Sequence, residues 1–354
     1  MSKTIAIRFG AVVGAAVLLL AGCAPAPEKP GAGGDGEQFC ARMITNSGGL
    51  EDRSFNETSW RGMEQAADDF GIDVDVLVST SEVDLAPNVE QAVATGCQFI
   101  LTVGWELADA TSSEAAANPD VNFAIVDEVV DAPNVKPLVF DTAQAAFLAG
   151  YLAAGVSKTG KVATFGGGNQ PPVTLFMDGY VDGVAHYNSV HGTAVEVIGW
   201  NKDAQDGVFT GDFEDINKGL TTTAGLIAQG ADVILPVAGQ VGEGAARAAM
   251  DSGTASVIWV DSDGYDTASE FRSVLLTSVL KNTGDAVVEI VKTSIDGTFD
   301  NSPFIGTLEN GGVDIAPFHD LADKVSPELS AEIDQLRADI IAGTITVTSP
   351  STPK

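Results

Sequence analysis

Histidine, cysteine and basic side chains are all scarce in this chain, and each scarcity removes a class of function. The three histidines, His186, His191 and His319, show no metal-ligand spacing, and no serine-nucleophile elbow, zinc helix motif or Walker A loop occurs. Lysine and arginine number 18 against 49 acidic residues, for a formal net charge of −31. A field that negative repels phosphate backbones and anionic headgroups, which argues against nucleic-acid or electrostatic membrane binding. It favours neutral or cationic ligands. Beyond the N-terminal stretch no apolar run reaches the length of a membrane span. No metal and no cofactor is expected.

What is present begins with Lys3 and Arg8 ahead of the apolar run Ala11 to Ala21, closing in Leu20-Ala21-Gly22-Cys23. A basic start, an apolar segment too short to span and a small-residue cleavage site describe a signal peptide. Leu-Ala-Gly-Cys resembles a bacterial lipobox, so Cys23 is expected to carry lipid, with several acyl chains holding the protein to the extracytoplasmic face of the cell membrane. Ala24 to Gln38 contain three prolines, four glycines and no large apolar residue. They read as a flexible tether.

With Cys23 lipidated, Cys40 and Cys97 remain, and an even pair in an oxidising exterior points to a disulfide. Each opens an apolar, β-rich run, and parallel neighbouring strands would bring those starts together.

From Phe39 onward strand-like and helix-like segments alternate, the signature of parallel sheets with crossover helices. Strands are expected at 40–45, 74–78, 99–103, 122–126, 161–165, 195–198, 233–236, 257–260 and 275–279. Amphipathic helices lie between them, beginning with 57–70, where Trp60, Met63, Ala67 and Phe70 recur at helical spacing before Gly71. Residues 39–127 and 161–261 repeat one plan, and the strand at 275–279 is expected to cross back to the first lobe. The fold class is α/β, two doubly wound parallel-sheet lobes joined by a hinge, with a ligand cleft at the carboxyl ends of the strands. The expected division is 1–22 signal peptide, 23–38 lipidated cysteine and tether, 39–141 with 276–300 the N-terminal lobe, and 142–275 with 301–320 the C-terminal lobe. Residues 321–354 form a C-terminal helix and tail packing on both.

Several residues then fall at the cleft. Asp127 and Asp261 end strands at matching positions of the two halves, where a carboxylate accepting two hydrogen bonds suits the vicinal hydroxyls of a sugar. Phe55, an apolar ring in the polar loop 51–56, is either a hydrophobic staple or a stacking platform for a flat ligand. Its neighbour Asn56 reads as a helix N-cap, and Phe213 is a candidate partner across the cleft. Gly239-Gln-Val-Gly242-Glu-Gly244 either brings backbone close to a ligand or packs tightly. Asp261-Ser-Asp263-Gly264-Tyr-Asp266 has the look of a calcium loop, but its glycine comes too early and the closing glutamate is missing.

Ser47-Gly-Gly-Leu-Glu-Asp-Arg-Ser-Phe-Asn56 with Trp60, Phe147-Leu-Ala-Gly-Tyr-Leu-Ala153, Gly160-Lys-Val, Phe176-Met-Asp-Gly-Tyr180, Gly230-Ala-Asp-Val-Ile234, Ala238-Gly239 with Gly242 and Gly244, Val260-Asp-Ser-Asp263 and Thr277-Ser-Val-Leu-Lys281 occur in that order. By these segments the chain resembles the basic membrane protein family of ABC-transporter substrate-binding lipoproteins, which includes purine nucleoside receptors. The resemblance implies a type I periplasmic-binding-protein-like fold, a monomer, that binds a nucleoside and delivers it to an ABC permease, without catalysis. It places the base between Phe55 and Phe213, has Asp127 and Asp261 accept from ribose hydroxyls and has Lys281 donate to the sugar. Asp52 and Asn56 would read polar edges of the base, Gly239 would admit backbone, and Asp263 joins the ligand set. The chain departs from the family pattern in the insertion Gly199 to Phe209, so Trp200 or Phe209 is an alternative second stacking face. It also carries Gly264-Tyr265 where a glutamine is common. Two other classes use the same clamp: a sensor signalling to a membrane regulator, and a hydrolase with Asp127 and Asp261 as acid and base.

Overall fold

The computed structural model describes residues 38–354. The signal peptide, Cys23 and all of the tether except Gln38 lie outside the described residues. Among the described residues no helix is long and apolar enough to cross a membrane.

The first lobe is wound around β1 (Cys40–Ile44), followed by α1 (Phe55–Phe70), β2 (Asp73–Leu77), α2 (Glu82–Ala94), β3 (Phe99–Val103), α3 (Ala108–Ala117), β4 (Asn122–Val126) and β5 (Val135–Phe140). Helix α4 (Thr142–Val156) leads into the second lobe. There the chain runs β6 (Lys161–Gly166), α5 (Pro171–His191), β7 (Glu196–Ile198), the small hairpin β8 (Trp200–Asn201) and β9 (Asp206–Gly207), α6 (Ile216–Ala228), β10 (Val233–Val237), α7 (Val241–Ser252), β11 (Ser256–Asp261), α8 (Gly264–Thr267) and β12 (Leu275–Lys281). It finishes with α9 (Thr283–Ile295), β13 (Phe304–Gly306), β14 (Val313–Ile315) and α10 (Pro327–Ile341).

Each lobe holds a six-stranded sheet, ordered β2-β1-β3-β4-β5-β13 in the first and β7-β6-β10-β11-β12-β14 in the second. The central strands β3 and β10 are buried along their whole length, as parallel strands covered on both faces must be. Close helix contacts rest on glycine. A Cβ on Gly150 of α4 would lie 2.1 Å from the carbonyl oxygen of Tyr180 in α5, so these two helices meet backbone to backbone. Cys40 and Cys97 flank the paired β1 and β3 and are joined by a disulfide, their Cα atoms 4.9 Å apart.

Two expectations need correction. The strand at 275–281 does not return to the first lobe, because β12 pairs with β11 in parallel and with β14 in antiparallel fashion. Only its successor α9 crosses, packing on α1 through Gly62, where a Cβ would meet Gly284 oxygen at 2.5 Å. Nor do residues 301–320 belong to one lobe, since β13 extends the first sheet while β14 extends the second. The chain therefore passes between lobes three times, after β5, after β12 and after β13. Strand β5 had no counterpart among the expected strands: Pro137 in its middle removes a ladder donor and demotes such a run on sequence grounds, yet it pairs with both β4 and β13.

Corresponding strands align residue by residue. Val126 of β4 faces Leu138 of β5, and Val260 of β11 faces Val279 of β12. On that register Asp127 corresponds to Asp261, and Lys281 to Phe140.

Candidate functional site

Between the lobes lies a cavity of about 660 Å³ including its mouth, lined from both sheets at the carboxyl ends of their strands.

Its charged wall is built from three strand ends. Asp127 and Asp261 both adopt left-handed backbone, φ 65° and 69°, which turns the chain sharply out of each sheet and presents the carboxylate at the strand end. Lys281, closing β12, sets its Nζ 2.5 Å from Asp127 Oδ2 and 3.7 Å from Asp261 Oδ1. The second oxygen of Asp261 accepts from Ser54 Oγ at 2.6 Å. Burial works to lower the lysine pKa, but the charges of Asp127 and then Asp261 outweigh it, and the net shift is upward. The ammonium also lies 4.8 Å from the centre of the Phe55 ring and 5.5 Å from that of Phe176. It joins a polar wall to aromatic faces.

The apolar part of the lining comes from Phe55, Phe176, Phe213, Val173 and Trp105. Phe55 opens α1. Phe213 precedes α6 and is seated by glycines: a Cβ on Gly167 would stand 2.4 Å from its ring, and one on Gly239 would lie 3.2 Å from its carbonyl oxygen. Gly239 itself lines the cavity with φ 55°. Gly244 does not. It packs α7 against Ile216, so of the glycine run only the first member serves the cleft and the last serves helix packing.

The two alternatives for the second ring sit elsewhere. Trp200 is buried in the second lobe, its indole N–H donating to Asp178 Oδ1 at 2.8 Å, and Phe209 packs edge-on against it at 5.8 Å. Neither lines the cavity, because the inserted hairpin folds back on its own lobe.

The loop between β1 and α1 carries the remaining expectations. Asp52, rather than Asn56, caps the helix: Asp52 Oδ1 accepts from the amides of Ser54 (3.0 Å) and Glu57 (3.1 Å), and Oδ2 from that of Asn56 (2.8 Å). Burial pushes the Asp52 carboxyl up to about 6 against those hydrogen bonds, with Asp261 adding to the rise. Asp52 does reach the lining. Asn56 does not, being wholly buried behind it with Nδ2 donating to Asn46 Oδ1 at 2.7 Å and to Asp52 Oδ2 at 3.0 Å. Asp263 is also outside the lining: its Oδ1 caps α8 through the Tyr265 amide, and its Oδ2 lies 2.7 Å from His319 Nε2. Two residues beyond the sharp turn at Asp261, its side chain has left the cleft.

The same loop fastens the lobes together. The carbonyl oxygen of Arg53 accepts from Ser262 Oγ at 2.7 Å, Gln240 Nε2 donates to Gly48 oxygen at 3.0 Å, and the Arg53 guanidinium lies 3.4 Å from Glu243 and 2.5 Å from Glu270.

Asn46, Gly48, Trp105, Glu106, Pro172 and Phe176 line the cavity without having been assigned to the ligand from sequence. For Glu106 the one available signal was position, three residues past the end of the apolar run of β3. Phe176 follows the glycine triplet Gly166 to Gly168 that closes β6.

Comparison with known proteins was made against this geometry. Residues 40–351 match the family described as ABC transporter substrate-binding protein PnrA-like. The ABC transporter nucleoside-binding protein BmpA of Lactococcus lactis is 32% identical over 364 residues, spanning 97% of this chain and 98% of its own. Basic membrane protein A of Borreliella burgdorferi is 28% identical over 325 residues, covering 90% and 91% of the two chains. In fold, a solute-binding protein of an ABC transporter system from Aeropyrum pernix superimposes with TM-score 0.78 at 24% identity, over 88% of this chain and 94% of that one.

Proposed function

This chain belongs to the PnrA-like family of ABC transporter substrate-binding proteins, and from that premise we propose that it binds a nucleoside, foremost a purine nucleoside, and passes it to a membrane permease. The observation that carries the reading is one cavity lined by aromatic side chains, Phe55 and Phe213 among them, beside the Asp127–Lys281–Asp261 cluster. A base has two apolar faces and a ribose has vicinal hydroxyls. Aromatic side chains stack on the first, at roughly 1–3 kcal/mol per base, while carboxylates and an ammonium exchange hydrogen bonds with the second. In the cleft the two kinds of group face one cavity.

We read the site as one that binds without turnover, with Asp127 and Asp261 both lying against one lysine. Lobe closure over the ligand, held by Arg53, Gln240 and Ser262, makes the surface a permease would recognise. Lipid on Cys23 would keep the protein, a monomer, on the extracytoplasmic membrane face.

Titration calorimetry with adenosine, guanosine, inosine and cytidine, against free adenine and ribose, tests the reading. Micromolar or tighter binding of nucleosides, with base and ribose separately much weaker and the nucleoside recovered intact, is expected. Tight binding of an unrelated sugar in their place, or release of free base, would overturn it. Mass spectrometry of the mature N-terminus and its release to the medium by Cys23→Ser test the anchor.

A further inference from the structure

Glu106 lies in the 3-10 turn Trp105–Leu107 that follows β3, and its side chain lines the cavity. Its Oε2 is buried and has no hydrogen-bond partner in the protein. The other carboxylates of the lining are engaged: Asp52 by the amides that open α1, Asp127 by Lys281, and Asp261 by Ser54 and Lys281. A buried acceptor without a donor is unfavourable, and a ligand that supplies one relieves it.

Position indicates which part of a ligand that is. A Cβ on Gly104 would stand 2.6 Å from Glu106 Oε2 and 3.2 Å from Asn46 Cβ, so the glycine lets the carboxyl fold in beside Asn46. Asn46 Oδ1 is itself taken, by Asn56 Nδ2 and the Gly48 amide. Glu106 is hydrogen-bonded to no member of the Asp127–Lys281–Asp261 cluster, whose contacts are made among themselves and with Ser54. Standing beside Asn46, it borders the loop that leads into Phe55 at the start of α1, and that places it toward the aromatic part of the lining.

We propose that Glu106 Oε2 accepts a hydrogen bond from an N–H on the edge of the bound base and so selects nucleosides whose base carries such a donor, the 6-amino or 6-oxo purines. A carboxyl retains an acceptor oxygen whether ionised or protonated, so the role needs no particular charge state. The inference rests on the nucleoside reading above and assigns it a specificity residue.

Two ligand pairs delete a donor: adenosine against purine riboside, which lacks the amino group and adds no bulk, and inosine against 1-methylinosine. Calorimetry on the purified chain is expected to show at least one pair separated by about 10-fold or more, since a site built to bond a polar edge rejects the analogue that lacks it. In Glu106→Ala that separation should shrink to about threefold or less, whereas Glu106→Gln, which keeps an acceptor oxygen, should retain most of it. A folded Glu106→Ala that separates the pairs as the parent does overturns the proposal. Equal binding of both members in both pairs by the parent overturns it too, while leaving nucleoside binding intact. No binding of any of the four removes both readings.

Discussion

The two lobes are built on one strand order and put different chemistry at matching places. Asp127 and Asp261 correspond and share a left-handed backbone, but the next position in the register holds Phe140 in the first lobe and Lys281 in the second. Counting on from β3 and β10, Glu106 corresponds to Gln240: the amide of Gln240 bridges to Gly48 across the cleft, whereas Glu106 Oε2 has no protein partner. A repeated frame thus supplies twofold-related attachment points, and departures from the repeat make a site able to hold an asymmetric ligand. A cleft with a lysine on both sides, or on neither, would lose the sharing of one cation between two carboxylates.

The largest effect is expected from making the lobes alike at that point. Lys281→Met leaves two carboxylates buried without their cation and should cost about 3–5 kcal/mol of stability, measurable by urea denaturation, along with loss of nucleoside binding. Asp127→Asn in the same chain should recover part of the stability and none of the affinity.

The first lobe alone carries a disulfide among the described residues. Cys40→Ser with Cys97→Ser opens a loop of 57 residues, for which chain entropy predicts a loss of about 4 kcal/mol. Hydrogen exchange should register it mainly in β1 to β3.

Smaller effects separate the rings. Phe55→Ala and Phe213→Ala should each weaken nucleoside binding by roughly 1–3 kcal/mol, while Phe209→Leu, in the inserted segment, should leave calorimetric affinity unchanged. Equal losses from Phe209 and Phe213 would mean that the hairpin reaches the ligand.

The smallest contrast is in pH. Burial pushes the Glu106 carboxyl up to about 7, with the negative charges of Asp127, Glu82 and Glu214 adding to the shift. A raised acid pKa stabilises the fold fully below the ordinary glutamate value and loses that stabilisation as pH rises through the folded one. The unliganded Tm should therefore fall between pH 4.5 and 7. Glu106→Gln should flatten that part of the curve, and Gln240→Glu should introduce a similar slope in the second lobe. Asp52, raised to about 6, adds a decline of the same sign at lower pH that neither substitution removes.

Much of this frame was legible because strong local signals agree with tertiary demands. Phe99–Val103 and Asn122–Val126 are apolar β-rich runs closed by a small or charged residue, and they form strands with those bounds. Asp127 and Asp261 stood out for the same reason, as carboxylates ending such runs. What stayed hidden depends on contacts distant in sequence. Nothing local distinguishes a β12 that joins β11 from one that crosses the hinge, and no motif marks Glu106, whose burial is imposed by Gly104 and Asn46. Asn56 was the capping candidate of its loop, and only the path of that loop decides that Asp52 faces the amides instead.

The three passages between lobes have a mechanical consequence. Two bodies tied by one strand swivel freely, and two ties still permit shear, but three ties spread along a shared edge leave a single soft rotation. Opening and closing then become one coordinate, an angle, and a partner that senses that angle can distinguish loaded from empty without touching the ligand.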